Sequence, residues 1–306
     1  MNQRFDVAII GGGPAGLNAA LVLGRARKDV LVIDEGRPHN RVTRESHGFL
    51  TRDGIKPAEF RRIAKEQILA YPSVHFAEET ATAIEGSDGN FCITTAAGTT
   101  YRSKKLLFAV GMKDLPLDID GLTEVYGKSA FVCPYCDGWE LRDQPLALIA
   151  KGPRALHLAK TIAGWSDTYT ILTHGGDEWT DAEREELRQH DVPFYTSPIL
   201  RIESVEGMVQ RIVLEDGTIV PCTGIFFAPK LTTGSDLPKA LGCEVSETGT
   251  VVVDALGKTS VPGVYCAGDA ATPHQYQVIA AAALGAAAAA GINGELLAEA
   301  WDSKRR

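Results

Sequence analysis

The chain has 306 residues, of which 44% are hydrophobic and 23% are charged, a composition typical of a soluble globular protein with a substantial core. Collagen-like, disordered and small disulfide-scaffold proteins are thereby excluded, and the length suggests two domains. The formal net charge of −8, without a basic stripe, argues against nucleic acid or an anionic membrane as a partner.

The N-terminal residues contain no apolar stretch of the kind that precedes a secretory cleavage site. The longest weakly apolar stretch, residues 278–292, consists mostly of Ala and Gly and is too short and small-sided to span a bilayer. The six cysteines do not form a disulfide framework, because only two of them lie close together. We therefore expect a cytoplasmic protein that does not enter the membrane.

A βαβ unit is predicted at the start of the chain. Residues 5–10 form a short apolar run, three glycines follow, and Pro14 suits the first turn of a helix. The apolar run 30–33 is then a second buried strand. Strand, helix and strand in this order predict a parallel sheet with a right-handed crossover.

The glycines between the first strand and the helix match the dinucleotide fingerprint, Gly11-x-Gly13-x-x-Gly16. Gly11 permits the tight turn, Gly13 lets a pyrophosphate approach the backbone, and Gly16 brings helix and strand together. The helix N-terminus offers unpaired N–H groups to the phosphates. Asp34, or its neighbour Glu35, ends the second strand and would accept hydrogen bonds from the adenosine ribose. We predict a dinucleotide site here, a purely structural glycine turn being the alternative.

The segment Cys133-Pro134-Tyr135-Cys136 is the predicted chemical centre. Two thiols at this spacing can close a disulfide and exchange it with a substrate, and a helix N-terminus lowers a thiol pKa. Asp137 could take or return a proton during that exchange, or it could be an ordinary helix-start carboxylate. A zinc site would need four ligands, and the remaining cysteines are scattered singly, at Cys92, Cys222, Cys243 and Cys266.

A second βαβ unit begins near residue 147, but its glycine loop is damaged. The loop Ala150-x-Gly152-x-x-Ala155 keeps the middle glycine, whereas its first position carries a Cβ and Lys151 adds a long side chain. The next strand ends at Thr173 with no carboxylate for an NAD ribose, and no arginine cluster follows for an NADP phosphate. Binding of NAD(P)H and a vestigial loop both remain open.

The rest of the chain continues the α/β pattern. Thr180 to Glu183 form a capping box that opens a polar helix, and the C-terminal residues predict an Ala-rich helix interrupted by glycines 285, 291 and 294. The predicted strands between them are 211–214, 224–228, 251–253 and 264–267. We infer a first domain, 1–114 and 246–306, interrupted by a second domain, 115–245, that carries the dithiol.

Near the C-terminus, the buried strand 264–267 ends in Gly268-Asp269. An aspartate at this place can accept a hydrogen bond from a ribityl hydroxyl, and Gly268 lets the ribityl chain pass close. A simple turn is the alternative for this motif alone. Together with the first glycine loop, it predicts that the bound dinucleotide is FAD.

These motifs, in this order, resemble the low-molecular-weight thioredoxin reductases over essentially the whole chain. Cys133-Pro134-Tyr135-Cys136-Asp137-Gly138 is similar to their redox-active motif, and Cys266-Ala267-Gly268-Asp269 to their second FAD motif. The resemblance implies an α/β fold of two Rossmann-like dinucleotide-binding domains, the second inserted into the first. It also implies a homodimer.

Other segments resemble one branch of that family, the thioredoxin-reductase-like dithiol oxidases, which close disulfides in gliotoxin, holomycin and related metabolites with oxygen as acceptor. They are residues 36–40 and 47–54, and Gly138-Trp139-Glu140 after the dithiol. The resemblance implies that Cys133 exchanges with substrate and Cys136 faces the flavin. Many members of the branch have His after the second Cys, whereas Asp137 stands here, as in the reductases.

The sequence therefore predicts an FAD-dependent thiol–disulfide oxidoreductase that oxidises a small dithiol. The alternatives are an NADPH-dependent reductase of a thioredoxin-like protein, a ferredoxin-dependent reductase and a non-catalytic flavoprotein redox sensor. The catalytic candidates are Cys133, Cys136 and Asp137, and no metal is expected. The candidate cofactor-binding residues are Gly11, Gly13, Pro14, Ala15, Gly16, Asp34, Glu35, Asn40, His47, Gly111, Gly268, Asp269, Gln277 and Val278.

Overall fold

A computed structural model describes residues 4–115, 117–176, 178–272 and 276–303. The chain divides into two compact units. The first unit comprises 1–41, 48–114 and 231–306, and the second comprises 42–47 and 115–230. Both are α/β, as the sequence predicts.

The first unit is built on a seven-stranded sheet with the order β3-β2-β1-β6-β5-β4, and β17 pairs with β6. The central pairs are parallel, and β4 and β5 extend the sheet as an antiparallel hairpin. Its strands are β1 (Arg4–Ile10), β2 (Val30–Ile33), β3 (Val74–Ala77), β4 (Ala81–Ser87), β5 (Asn90–Thr95), β6 (Thr100–Phe108) and β17 (Val264–Cys266).

The helices of this unit are α1 (Pro14–Arg25), α2 (Pro57–Leu69), α7 (Leu237–Ala240) and α8 (Val278–Ser303). Helix α8 has the length and mean hydropathy, 1.4, of a segment able to cross a membrane, although core helices of soluble proteins pass the same test. Its buried side chains belong to the hydrophobic core that α1 and the sheet share. Gly285 is needed there, since a Cβ would overlap the Ala15 carbonyl.

The second unit contains a five-stranded parallel sheet with the order β11-β10-β9-β15-β8 and a three-stranded antiparallel sheet, β12-β13-β14. The parallel strands are β8 (Ala130–Phe131), β9 (Leu146–Ile149), β10 (Tyr169–Leu172), β11 (Phe194–Tyr195) and β15 (Gly224–Phe227). The antiparallel strands are β12 (Ile199–Val205), β13 (Met208–Leu214) and β14 (Ile219–Pro221). The helices are α3 (Leu122–Val125), α4 (Pro134–Asp137), α5 (Pro153–Ile162) and α6 (Asp181–Gln189).

Two short strands, β7 (Met112–Leu115) and β16 (Lys230–Thr233), pair with each other where the chain passes between the units. The return to the first unit comes at residue 231, earlier than the boundary at 246 that the sequence suggests. The reason is apolar packing, because Leu237, Leu241 and Val245 lie against the core of the first unit.

Two predicted elements differ from the structure. The run 251–253 is not a strand: Val251 makes a single isolated bridge with Val245, and Val252 is exposed. The C-terminal helix is not interrupted by its glycines, since α8 is continuous from Val278 to Ser303. The predicted capping box is present, with Thr180 accepting from the Glu183 N–H group and the Glu183 carboxylate accepting from Thr180.

Candidate active site

The first glycine loop, between β1 and α1, has the geometry of a phosphate cradle. Gly11 has φ +107°, and a Cβ there would overlap the Ala109 carbonyl oxygen. A Cβ at Gly16 would overlap the carbonyl oxygen of Gly11. A Cβ at Gly13, by contrast, meets no atom within 4 Å, and no side chain caps the N-terminus of α1, which begins at Pro14. The loop is thus closed on the protein side and open where a pyrophosphate approaches.

Asp34, at the end of β2, faces this loop. Its carboxylate accepts hydrogen bonds from the N–H groups of Gly12 at 2.8 Å and Gly36 at 3.2 Å. Arg61, on α2, forms an ion pair with Asp34 and donates to the Gly12 carbonyl at 3.3 Å. Glu35 is exposed and accepts a long hydrogen bond from Thr80. Of the two predicted carboxylates, Asp34 is therefore the one beside the loop.

The C-terminal motif closes against the same helix. Gly268 has φ +74°, and a Cβ there would lie 2.9 Å from the Cβ of Ala15. The half-buried Asp269 follows, and burial raises the pKa of its carboxyl to about 6, against the opposing charge of His39. The structure thus brings Gly268 and Asp269 to the N-terminal end of α1.

His39 forms a partly buried ion-pair contact that the sequence did not reveal. Its Nε2 lies 2.8 Å from the Asp114 carboxylate. This hydrogen bond raises the pKa of His39, although burial opposes the shift. Asp114 is nearly covered, with 10% of its side chain exposed. The pair is separated by 75 positions in the chain, so no local pattern could predict it.

The remaining predicted cofactor residues lie at the ends of elements in the first unit, with one exception. Asn40 lies in the short 3₁₀ turn His39–Val42, and Gly111, at φ +63°, accepts a hydrogen bond from Gly234 at 2.9 Å. Gln277 immediately precedes Val278, the first residue of α8. The exception is His47, which belongs to the second unit.

The residues of the first unit fit FAD. The glycine cradle is complete, the N-terminus of α1 offers its N–H groups, and a carboxylate stands at each of the two positions that would hold a ribose or ribityl hydroxyl. When bound there, FAD supplies two-electron redox chemistry. Asp34 and Asp269 would hold its hydroxyls, and Gly13 would admit its phosphates.

The dithiol is held at the start of α4 in the second unit. Cys133 and Cys136 form a disulfide with their Cα atoms 5.3 Å apart. The Cys133 carbonyl accepts from the N–H groups of Cys136 at 3.0 Å and Asp137 at 3.2 Å, which fixes the turn. Gly138 is required next, because a Cβ there would lie within 3.0 Å of the Trp165 ring and overlap the Pro134 carbonyl.

Exposed aromatic side chains flank the disulfide. Tyr135 and Trp139 are 71% and 64% exposed. Tyr135 contacts Trp165 edge to face, and Arg142 stacks 4.1 Å above the Trp139 ring. Trp139 belongs to the segment that resembles the dithiol oxidases, and exposure of this extent is unusual for tryptophan.

Asp137 is an acid–base group matched to neutral pH. Burial raises the pKa of its carboxyl to about 7, the neighbouring Glu140 carboxylate adds to the rise, and His47 opposes it. A carboxyl with this pKa can accept a proton from a thiol and release it again at physiological pH. The sequence prediction that Asp137 can serve in proton exchange therefore has a physical basis in its surroundings.

The second glycine loop lacks the features that fit a pyridine nucleotide. Gly152 has φ +54°, and the Glu178 carboxylate lies 3.4 Å from the position of its Cβ, where a phosphate would approach. The Lys151 side chain packs on Gly176. His174, after β10, is engaged internally, because its Nδ1 accepts from the Ile199 N–H group at 2.9 Å.

The other four cysteines lie outside the disulfide. Cys222, Cys243 and Cys266 are buried, and burial raises the pKa of each thiol, to about 12 for Cys222. Cys92 is half-buried on β5. Thiolates react and thiols do not, so the three buried cysteines behave as small apolar side chains.

A dinucleotide cradle in one α/β unit and a redox-active disulfide with a neutral-range acid in the other define a flavin-dependent disulfide oxidoreductase. Comparison with protein families agrees, since residues 5–287 match the model of the pyridine nucleotide-disulphide oxidoreductases. The chain belongs to this family, and FAD is its cofactor.

Relatives include fungal and bacterial proteins. Thioredoxin reductase tcpT of Claviceps purpurea is 32% identical, with 86% of each chain covered, and thioredoxin reductase sirT of Leptosphaeria maculans is 29% identical over 96% of this chain and 94% of its own. The solved structure of HlmI has a TM-score of 0.92 at 33% identity, covering 98% of this chain and 95% of its own. An oxidoreductase of Agrobacterium tumefaciens has a TM-score of 0.90 at 37% identity, covering 96% and 99%. The chain is thus a thioredoxin-reductase-like disulfide oxidoreductase.

Proposed function

We propose that this protein oxidises a dithiol to a disulfide through Cys133 and Cys136, with oxygen as the final electron acceptor. FAD, held by the first unit, would supply the two-electron chemistry between them. The observation that carries the proposal is the Glu178 carboxylate against Gly152 in the second loop. It places negative charge where a reductase would receive the phosphates of NAD(P)H. The dithiol and Asp137 remain intact, so electrons can still enter from a thiol substrate.

In the thiol-exchange step, residues of the second unit account for every proton and electron that the substrate loses. A substrate thiol gives its proton to Asp137 while its sulfur bonds to Cys133, and the Cys133–Cys136 bond breaks to leave a thiolate on Cys136. The second substrate thiol then attacks the mixed disulfide, and its proton goes to the Cys133 sulfur. The substrate loses two electrons and two protons, and the cysteine pair gains the electrons.

The exposed rings of Tyr135 and Trp139 support a small substrate with apolar surface, since aromatic side chains bind such molecules at little cost in conformational entropy. A thioredoxin-like protein is the alternative partner. We further propose that the protein is a cytoplasmic homodimer. Sedimentation of the holoenzyme tests the dimeric state.

An anaerobic titration of the holoenzyme tests the direction of electron flow. We expect dithiothreitol to bleach the flavin absorbance, air to restore it, and NADPH or NADH to leave it unchanged over seconds. Rapid bleaching by a pyridine nucleotide would refute the oxidase and favour the reductase of a thioredoxin-like protein. Bleaching by reduced ferredoxin alone, or by no donor, would favour the ferredoxin-dependent enzyme or the redox sensor, respectively.

Substitution of the dithiol tests its part in the reaction. Cys136→Ser should abolish flavin bleaching by dithiothreitol, because the variant cannot form the disulfide that accepts the electrons. Cys92→Ser is the matched control, since Cys92 lies on β5 of the first unit, outside the dithiol, and should retain bleaching. Unimpaired bleaching by Cys136→Ser would show that electrons reach the flavin by another route.

A further inference from the structure

An arginine on the inward face of α2 contacts the first glycine loop. Arg61, Ala64 and Ile68 follow the i, i+3, i+7 spacing of residues that share one face of a helix. Ala64 and Ile68 pack into the core that α1 and the sheet share. The Arg61 side chain is 23% exposed, so its charge is best accommodated by a partner within the first unit.

That partner is the carboxylate of Asp34, at the end of β2. The Arg61 guanidinium forms an ion pair with Asp34, and its Nε donates to the Gly12 carbonyl at 3.3 Å. The Asp34 carboxylate accepts from the Gly12 N–H group at 2.8 Å. Both polar backbone groups of Gly12 are therefore bonded within one closed network of three residues. This network fixes the two peptide groups that flank Gly12 in the loop.

The same contacts determine the charge behind the phosphate position. Only 11% of the Asp34 side chain is exposed, and its carboxylate bonds to a loop whose open side suits a pyrophosphate. An unpaired carboxylate at this place would repel the negative charges of the phosphates, and its low exposure limits screening by salt. Because Arg61 pairs with it, the two side chains together bring no net charge to the loop.

The ion pair leaves Asp34 able to bind the cofactor. A carboxylate has about four acceptor positions, two on each oxygen. The Gly12 N–H group takes one position on Oδ1, and the Gly36 N–H group and Arg61 take those on Oδ2. Within the described part of the chain, one position on Oδ1 remains for a ribose hydroxyl. Arg61 therefore orients Asp34 without displacing the hydroxyl.

We propose that Arg61 is a positioning residue for FAD: it cancels the charge of Asp34 and holds the glycine loop in the shape that admits the pyrophosphate. The inference goes beyond the proposed function, because it concerns how the first unit holds its cofactor, whichever way electrons flow. The glycine fingerprint does not reveal Arg61, which lies 27 positions from Asp34 and 49 from Gly12.

The test is the dissociation constant of FAD from the full-length holoenzyme. Diluted protein is brought to equilibrium, and free FAD is separated by ultrafiltration and quantified by its fluorescence. For Arg61→Met we expect FAD to bind roughly tenfold more weakly than to wild type, the effect of one partly screened charge left unpaired near the phosphates. Arg61→Lys keeps a positive charge and should stay within about threefold of wild type.

The neighbouring arginine supplies the matched control. Arg62 is exposed and pairs with Glu59 and Glu66 on its own helix. Arg62→Met removes the same charge from the next position of α2 and should leave FAD affinity at the wild-type value. A loss as large as that of Arg61→Met would contradict a specific role for Arg61.

A double-mutant cycle separates action through Asp34 from a merely structural role. In the Asp34→Asn background there is no carboxylate charge to cancel, so adding Arg61→Met should change FAD affinity by less than about twofold. Urea unfolding of the same proteins shows whether each variant is folded.

Two results would overturn the inference. One is wild-type FAD affinity in Arg61→Met. The other is an equal loss from Arg61→Met in the wild-type and Asp34→Asn backgrounds, which would show that Arg61 does not act through Asp34. If Arg61→Met does not fold, Arg61→Lys decides, because a roughly tenfold loss with the charge retained would also refute the cancellation of charge.

Discussion

Alanine substitutions at the outer glycines and at the middle glycine of the first loop should have different effects: the former on stability, the latter on cofactor binding. Alanine at Gly16 would overlap the Gly11 carbonyl within the protein itself. Alanine at Gly13 meets no atom within 4 Å, and the backbone there, at φ −80° and ψ −175°, suits any residue. Gly13→Ala should therefore damage only the binding of the phosphates.

The size of that effect follows from the hydrogen bonds that the added methyl group prevents. If it holds the pyrophosphate away from two N–H groups, the loss is about 1.5–3 kcal/mol for each charge-assisted bond. FAD affinity should then fall by a factor of about 10² to 10⁴. The free energy of unfolding of the apoprotein should change by less than about 0.5 kcal/mol. For Gly16→Ala it should fall by about 1–3 kcal/mol or more.

Urea unfolding of the apoproteins and fluorescence titration with FAD measure the two quantities separately. Gly294→Ala is the matched control, because Gly294 is exposed on α8, with no atom within 4 Å of its Cβ position. It should bind FAD normally and be up to about 1 kcal/mol more stable. A Gly13→Ala variant with wild-type FAD affinity would refute the placement of the phosphates at this loop.

Two further predictions concern charge. Glu178→Gln should bind NADPH about fivefold more tightly than wild type in equilibrium titration, because removing one partly screened charge beside the phosphate position is worth about 1 kcal/mol; equal affinity would show that Glu178 does not obstruct the loop. Lys105 is completely buried, with its amine 2.7 Å from Asp88 and 3.5 Å from Glu295. Lys105→Met should lower the free energy of unfolding, measured in urea, by about 2–3 kcal/mol. This loss is smaller than that for breaking a fully buried ion pair, because the carboxylates remain partly hydrated. Unchanged stability would contradict the prediction.

The sequence predicted the βαβ units well because their determinants are local. An apolar run, a glycine loop and Pro14 are contiguous in the chain, and the predicted strand 30–33 coincides with β2. The dithiol and Asp137 were found by spacing alone. Their depth of burial, which makes Asp137 an acid–base group near pH 7, follows only from the folded unit.

Contacts between residues distant in the chain could not be predicted from the sequence. The ion pair of Arg61 with Asp34 joins a helix to a strand end, and a charged residue on an amphipathic helix ordinarily faces solvent. His39, in a 3₁₀ turn, and Asp114, in β7, are 75 positions apart in the chain. The glycines of α8 suggested interruptions because glycine disfavours helix, whereas Gly285 is retained for its close approach to Ala15.

The two βαβ units share one arrangement of strands and helix but differ in the surroundings of their glycine loops. In the first, the carboxylate of Asp34 stands behind the loop, bonded to the Gly12 N–H group, and the space over Gly13 is open. In the second, the carboxylate of Glu178 stands at Gly152, and His174 is bonded to the backbone of β12. The order of strand, helix and strand is the same in both units, so the difference lies in the loops. The middle glycine has φ −80° in the first loop and φ +54° in the second, and different side chains surround it. The proposed entry of electrons through the dithiol rests on this contrast between an open phosphate site in the first unit and a carboxylate at the loop of the second.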